Sequence, residues 1–173
     1  YEEYVVNNLT IVSYLNKLIQ LNGYTLPKLS KEDEEIVAKF DKSKKILFLD
    51  LDETLIHSDI NSKYERTDAI ITLPLDDGAS SFGIMIRPYV SEFLQYTSET
   101  FNVVLFTAGI KSYADAIVDY LDPDKKYFSL RLYRDSCIQF NNFYIKDLSI
   151  IPGYSEKDLI ILDNCIFSFA VNL

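Results

Sequence analysis

Basic residues are scarce in this chain: 17 Lys and Arg stand against 26 Asp and Glu, a net charge of −9, with a pI of about 4.6. A sequence-independent nucleic-acid interface needs many Lys and Arg on one face, so direct nucleic-acid binding is not expected. Histidine occurs once, at His57, which excludes any mechanism built on several imidazoles. Cysteine occurs twice, at Cys137 and Cys165, without a CxxC pair, so neither a disulfide framework nor a zinc site is indicated. No apolar run approaches the roughly 20 residues of a spanning helix, so no membrane span is expected. The opening Tyr1-Glu2-Glu3 lacks the basic start of a secretory signal, and an intracellular, reducing compartment is the default expectation. Internal repeats and low-complexity segments are absent too. What is present is 173 residues with 48% hydrophobic content, enough for one domain with a sizeable core.

The chain is organised around Lys45-Ile46-Leu47-Phe48-Leu49-Asp50-Leu51-Asp52-Glu53-Thr54-Leu55. Ile46 to Leu49 read as a strand buried on both faces, of the kind found in parallel sheets. Asp50 and Asp52, spaced i, i+2, then fall at its carboxyl end, where open α/β sheets bind ligands. Two anions this close do not both ionise cheaply in a dry crevice without a cation. Oxygen ligands suit a hard ion that keeps some waters, which points to Mg²⁺. With Asp50 as nucleophile and Asp52 as acid and base, the layout fits phosphoryl transfer through a phospho-aspartate. The alternative is an acidic turn after a core strand, which would not need Thr54 after a second Asp.

Residues 1 to 43 differ from the rest. Val5, Leu9, Val12, Leu15 and Ile19 recur at helical spacing with Leu18 beside them, and Asn22-Gly23 ends that helix. Ser30 can cap a second helix, with Asp33 at the third helical position and Asp33, Glu34 and Glu35 suiting its dipole. Ile36, Val37 and Phe40 would face a partner. The reading is a helical arm packed on the core; the alternative is a docking element for another protein. Residues 58 to 87 form an insert in which Ala69–Leu73 and Phe82–Ile86 flank Asp76-Asp77-Gly78, the pattern of a hairpin standing over the site as lid or wall. Arg87-Pro88 opens a helix through Val90, Phe93 and Leu94, with Pro88 in its first turn.

Phe101 to Phe106 is a second buried strand, ending in Thr107-Ala108-Gly109, where backbone N–H groups can approach an anion. A helix of roughly 111 to 121 carries Tyr113, Ile117, Val118 and Leu121 on one face, and Asp122-Pro123-Asp124 stops it. Leu130–Tyr133 and Phe143–Ile145 read as short strands around the turn Asn141-Asn142. Asp158–Leu162 is a third apolar strand, ending in Asp163-Asn164. In a parallel sheet these carboxyl ends line one edge, so Asp50/Asp52, Thr107 and Asp163/Asn164 can converge. Lys146 is a candidate cation for phosphate oxygens.

The constellation resembles the haloacid dehalogenase superfamily, and more narrowly the phosphatase domain of the RNA polymerase II tail phosphatases and their small relatives. The matching residues are Asp50-Leu51-Asp52-Glu53-Thr54-Leu55, Arg87-Pro88, Leu105-Phe106-Thr107-Ala108, Tyr113-Ala114-Asp115, Leu132 to Cys137, Tyr144 to Leu148, and Asp163-Asn164. The resemblance implies an α/β fold with a haloacid dehalogenase-like (Rossmannoid) central parallel sheet flanked by helices. A small β-hairpin insert serves as minimal cap, and a helical arm precedes the sheet. It implies that Asp50 attacks phosphorus while Asp52 protonates the leaving oxygen and then activates water. Thr107 and Lys146 hold the phosphate, and Asp163 orients Lys146 from behind. Mg²⁺ would be held by the Asp50 carboxylate, the Asp52 main-chain carbonyl and the Asn164 side chain. Thr54 and Arg134 are assigned to substrate.

The implied activity is hydrolysis of phosphoserine and phosphothreonine in a protein or peptide, with the polymerase II C-terminal repeat as the family substrate and the nucleus as its place. Two alternatives stand beside it: a catalytically idle binding module of the same fold, similar to a mitochondrial translocase receptor, and a small-molecule phosphatase of the superfamily.

The sequence departs from the family pattern where Gly109 replaces a Ser and where Cys165-Ile166 replaces Ser-Pro. The expected domains are a helical extension, 1–43, and a phosphatase domain, 44–173. A start at Tyr and an apolar ending at Phe169–Leu173 suggest a trimmed fragment lacking the family's final strand and helix. Oligomeric state is not readable. The competing structural readings are Thr107 as a helix cap, Lys146 as a surface lysine, Cys165 as a buried inert thiol and His57 as structural. Phe82, Tyr89 and Tyr64 belong either to a peptide groove or to the core.

Overall fold

The computed structural model describes residues 2–59, 67–75 and 78–172. Helix α1 (Glu2–Asn22) ends where expected, because Gly23 takes φ +70°, a conformation that suits glycine. Val12, Leu15 and Ile19 are buried, but Leu9 is exposed, so only part of the predicted stripe is covered. Helix α2 (Lys31–Val37) is capped by Ser30, whose hydroxyl accepts the Asp33 N–H at 3.1 Å and donates to the Asp33 carboxylate at 2.7 Å.

Then come β1 (Ile46–Leu49), β2 (Ile56–Asp59), β3 (Ala69–Leu75), β4 (Gly78–Ile86) and α3 (Val90–Thr100). They are followed by β5 (Asn102–Phe106), α4 (Lys111–Leu121), β6 (Leu130–Leu132), β7 (Ile138–Phe140), β8 (Phe143–Ile145) and β9 (Leu159–Leu162). The main sheet has the order β6-β5-β1-β9 and is parallel throughout. Its central strands alternate in what they feed. Leu47, Leu49, Val103 and Leu105 join a core with Val90 and Leu94 of α3 and Ile117 and Val118 of α4. Ile46, Phe48, Val104 and Phe106 join a second core with Val37, Phe40, Leu148 and Ile151. Both faces are therefore covered, which is why β1 and β5 read as unbroken apolar runs. Burying one such Leu stabilises the fold by about 1.5–3 kcal/mol.

The hairpin is β3 paired with β4, from Ala69 opposite Ile84 to Leu75 opposite Gly78. Tyr64 and the Asp76-Asp77 pair of the expected turn lie outside the described residues. The hairpin gains a third strand, β2, which periodicity missed because Ile56-His57-Ser58-Asp59 holds one buried apolar residue.

Two other expectations are corrected. Pro88 precedes the helix: Tyr89 takes φ +68° as its N-cap and α3 begins at Val90. The cause is Arg87, whose N–H bonds to Leu55 O at 3.0 Å and ties this turn to the loop after β1. Leu130–Leu132 does not pair with Phe143–Ile145 but is the edge strand β6 of the main sheet; the partner across Asn141-Asn142 is β7. The third apolar strand is found as expected, as β9 at the edge of the sheet, with side chains that alternate between half-buried and exposed. Among the described residues, no helix is long and apolar enough to cross a membrane.

Candidate active site

Register levels the carboxyl ends of the sheet. Leu49 lies opposite both Leu105 and Leu162, and Phe106 opposite Leu132, so Asp50, Thr107 and Asp163 leave the sheet along one edge. Asp50 is anchored by its own N–H on Leu162 O at 3.0 Å. Lys146, directly after β8, enters from the side with its side chain 1% exposed. Its ammonium donates at 2.6 Å to Asp50 Oδ1 and at 2.6 Å to Asp163 Oδ2. The reading of Lys146 as a surface lysine is thereby excluded.

Burial is the largest influence on Asp50 and raises its pKa above the ordinary carboxylate range, more than the charge of Lys146 lowers it. Burial pulls Lys146 down, but Asp50 and Asp163 together outweigh it, and the ammonium stays charged. Asp163 is fixed in turn by the Cys165 N–H on Oδ1 at 2.7 Å. One ammonium is thus shared between two buried carboxyl groups.

Thr54, expected at the substrate, is buried, and its hydroxyl sits 3.1 Å from Asp50 Oδ2 and 3.4 Å from Asn164 Oδ1. It bridges the two ends of the site. Thr107 is buried and accepts the Gly109 N–H at 3.0 Å, which leaves its own proton for an anion. The N-cap of α4 is Ile110, so Thr107 does not cap that helix. Arg134 is exposed, rests on the Tyr144 ring at 4.8 Å and donates from Nε to Ala108 O at 2.7 Å. Its N–H bonds to Gly109 O at 3.0 Å, so it braces the loop after β5.

These groups line one open cleft of about 570 Å³ that holds Asp50, Asp52, Thr107, Lys146, Asn164 and Arg134. Leu73 of β3 lines it as well, so the hairpin forms one wall. Among the described residues, no group of three His, Cys, Asp or Glu is arranged to hold a metal. The candidate set is instead one carboxylate, Asp50, with the Asn164 amide oxygen and the Asp52 main-chain carbonyl. Such a sparse oxygen set suits an ion that retains several waters.

His57 points away, hydrogen-bonded to Glu53 and half exposed, and does not line this cleft. Phe82 is core, and Tyr89 is exposed. Cys165 is half-buried in the cleft rather than buried; the buried thiol is Cys137, whose pKa burial pushes up to about 12.

Two residues of the matching motifs have contacts that sequence reasoning did not assign. Arg87 donates from Nε to Thr54 O at 2.5 Å and from Nη2 to Glu53 O at 2.8 Å, clamping the loop in which Glu53 takes φ +60°. Tyr113, read as part of an apolar helix face, donates its hydroxyl to Asp52 Oδ1. No local signal marks a partner 61 positions away.

The description NLI interacting factor-like phosphatase covers a family that matches residues 45–173. The chain belongs to that family. Members similar to it include Phosphatase PSR1 of Saccharomyces cerevisiae, 44% identical over 124 residues, covering 71% of this chain and 28% of the relative. Another is the human carboxy-terminal domain RNA polymerase II polypeptide A small phosphatase 1, 37% identical over 141 residues, covering 82% of this chain and 50% of the relative. The chain thus spans between about a quarter and a half of the length of these family members. The fold is similar to that of fission yeast RNA polymerase II CTD phosphatase Fcp1 bound to beryllium fluoride. That match has a TM-score of 0.61 and 23% identity, and covers 82% of this chain and 42% of the other. The expected α/β phosphatase fold of the haloacid dehalogenase type is the observed one.

Proposed function

We propose that this chain is a Mg²⁺-dependent protein serine/threonine phosphatase working through a phospho-aspartate. The observation that carries the reading is the convergence of Asp50, Lys146 and Asp163, drawn from three separate stretches of chain, in one cleft beside Asp52 and Thr107, with the Thr54 hydroxyl bonded to Asp50. Asp50 attacks phosphorus; a P–O bond to Asp50 forms as the P–O bond to the substrate hydroxyl breaks. Burial raises the pKa of Asp52, the direction that suits the group that gives a proton to the departing alkoxide. Asp52 then takes a proton from the water that hydrolyses the acyl phosphate. Thr107 and Lys146 donate to the phosphate oxygens, where charge develops. Mg²⁺, held by Asp50, the Asp52 carbonyl and Asn164, would neutralise phosphate charge. Asp163 keeps Lys146 aimed, and Arg134 contacts the peptide flanking the phosphate.

We assign residues 44–173 to the catalytic domain, which the family match from residue 45 supports, and residues 1–43 to a helical extension. The short hairpin wall leaves room for a polypeptide. The polymerase II C-terminal repeat named in the human relative is the specific substrate proposed, with the nucleus as the compartment. Turnover of a phosphoserine peptide tests this. EDTA and Asp50→Asn should each lower the rate by about a hundredfold or more; equal rates in all samples would refute it.

A further inference from the structure

Tyr113 is held on three sides. Its ring stacks on Phe82 of the hairpin, with centroids 5.3 Å apart and planes at 27°. Its hydroxyl donates to Asp52 Oδ1 and is supported by Ser58 of β2. Its edge lies against Gly109: a Cβ there would come 3.1 Å from Tyr113 Cδ1 and 3.2 Å from Thr107 Oγ1. That is tighter than ordinary van der Waals contact, so any side chain at 109 would displace the ring or the threonine. Gly109 is also where this chain departs from the serine of the family it resembles.

We propose that Tyr113 is a positioning residue for Asp52, seated by Gly109 and Phe82, and that its hydrogen bond to one carboxyl oxygen aims the other at the leaving group. The proposal rests on the phosphatase reading above. In the step concerned, the P–O bond to serine breaks while the Asp50–P bond forms, and the proton of Asp52 passes to the alkoxide. Tyr113 keeps its own proton throughout. A serine alkoxide needs that proton; a nitrophenolate leaves without it. The consequence is selective. Loss of Tyr113's hydroxyl should harm substrates with poor leaving groups and spare those with good ones, whereas a general loosening of the fold would harm both.

The test is single-turnover release, with enzyme in excess and Mg²⁺ present, of peptide from a phosphoserine peptide and of nitrophenol from p-nitrophenyl phosphate. Tyr113→Phe should slow peptide release about tenfold at unchanged half-saturating concentration, with nitrophenol release within about twofold of wild type. Gly109→Ala, which crowds both the ring and Thr107 but keeps the hydroxyl, should slow both releases through Thr107 and slow peptide release further through Tyr113, shifting the ratio the same way. Unfolding midpoints check that both variants are folded. Equal losses on both substrates, or a wild-type ratio in both variants, would overturn the proposal. A folded wild type silent on both compounds would overturn the phosphatase reading itself, and this one with it.

Discussion

Two ion networks meet the main sheet, one centred on Lys146 and the other on Asp115, and they differ in burial and in the balance of charge. Lys146 bridges Asp50 and Asp163 with its side chain 1% exposed. Lys111 of α4 meets Asp115 at 2.9 Å with its side chain 69% exposed, while Arg131 of β6 binds the same Asp115 at 3.1 Å and Asp119 at 2.7 Å. Burial is the largest influence on the carboxylate in both. At Asp50 it wins and the pKa rises; at Asp115 the bonds from Tyr133, Lys111 and Arg131 outweigh it and the pKa falls. The lesson is that a carboxylate out of water that shares one ammonium with a second carboxylate is pushed up, while one nearer solvent that receives Lys111, Arg131 and Tyr133 is pulled down. Among the described residues, no buried side-chain nitrogen or oxygen lacks a partner, so neither network is a packing defect.

The comparison can be broken most forcefully at Lys146. Lys146→Met leaves Asp50 and Asp163 facing each other without a cation. It should remove activity by about a hundredfold or more and cost roughly 3–5 kcal/mol in urea unfolding. A variant as stable as wild type would show that burial does not set the difference. Asp163→Asn is next: Lys146 keeps Asp50 but loses its second anchor, so phosphopeptide turnover should drop about tenfold. On the surface side, Arg131→Ala removes both ion pairs to α4. It should cost about 1 kcal/mol while turnover stays within about twofold; a large loss of turnover would make this network part of the site.

The smallest effect is pH-dependent. Asp115 has a lowered folded pKa, so its contribution is complete above the unfolded value near 3.9 and is lost as pH falls through the folded value. The difference in unfolding midpoint between wild type and Asp115→Asn should therefore be present at pH 7 and close below about pH 4. A gap that persists in acid would assign the effect to packing.

How much of this was legible beforehand depends on distance along the chain. The Asp50 strand, the Phe101–Phe106 strand, the helix 111–121 and the β3–β4 hairpin were readable because each carries its own periodicity or turn chemistry within a few residues. Strand β2, with its polar His57 and Ser58, has no such pattern and is a strand only because β4 pairs with it. The start of α3 was misread because the Pro88 rule was overridden by Arg87, which answers to carbonyls 33 and 34 positions back. Tyr113 was taken for core since its spacing matches Ile117, and its hydroxyl has no role until Asp52 is beside it.

By itself the sequence determined which groups can do chemistry and at which strand ends they stand, since alternation and apolar runs are local properties of a pleated backbone. Tertiary structure alone decided that Lys146 is buried between two carboxyl groups, that Thr54 turns to Asp50 rather than outward, and that the Tyr113 phenol meets Asp52. Those facts depend on which remote segments exclude water from one another, and solvent exclusion is a property of the assembled fold, not of any stretch within it.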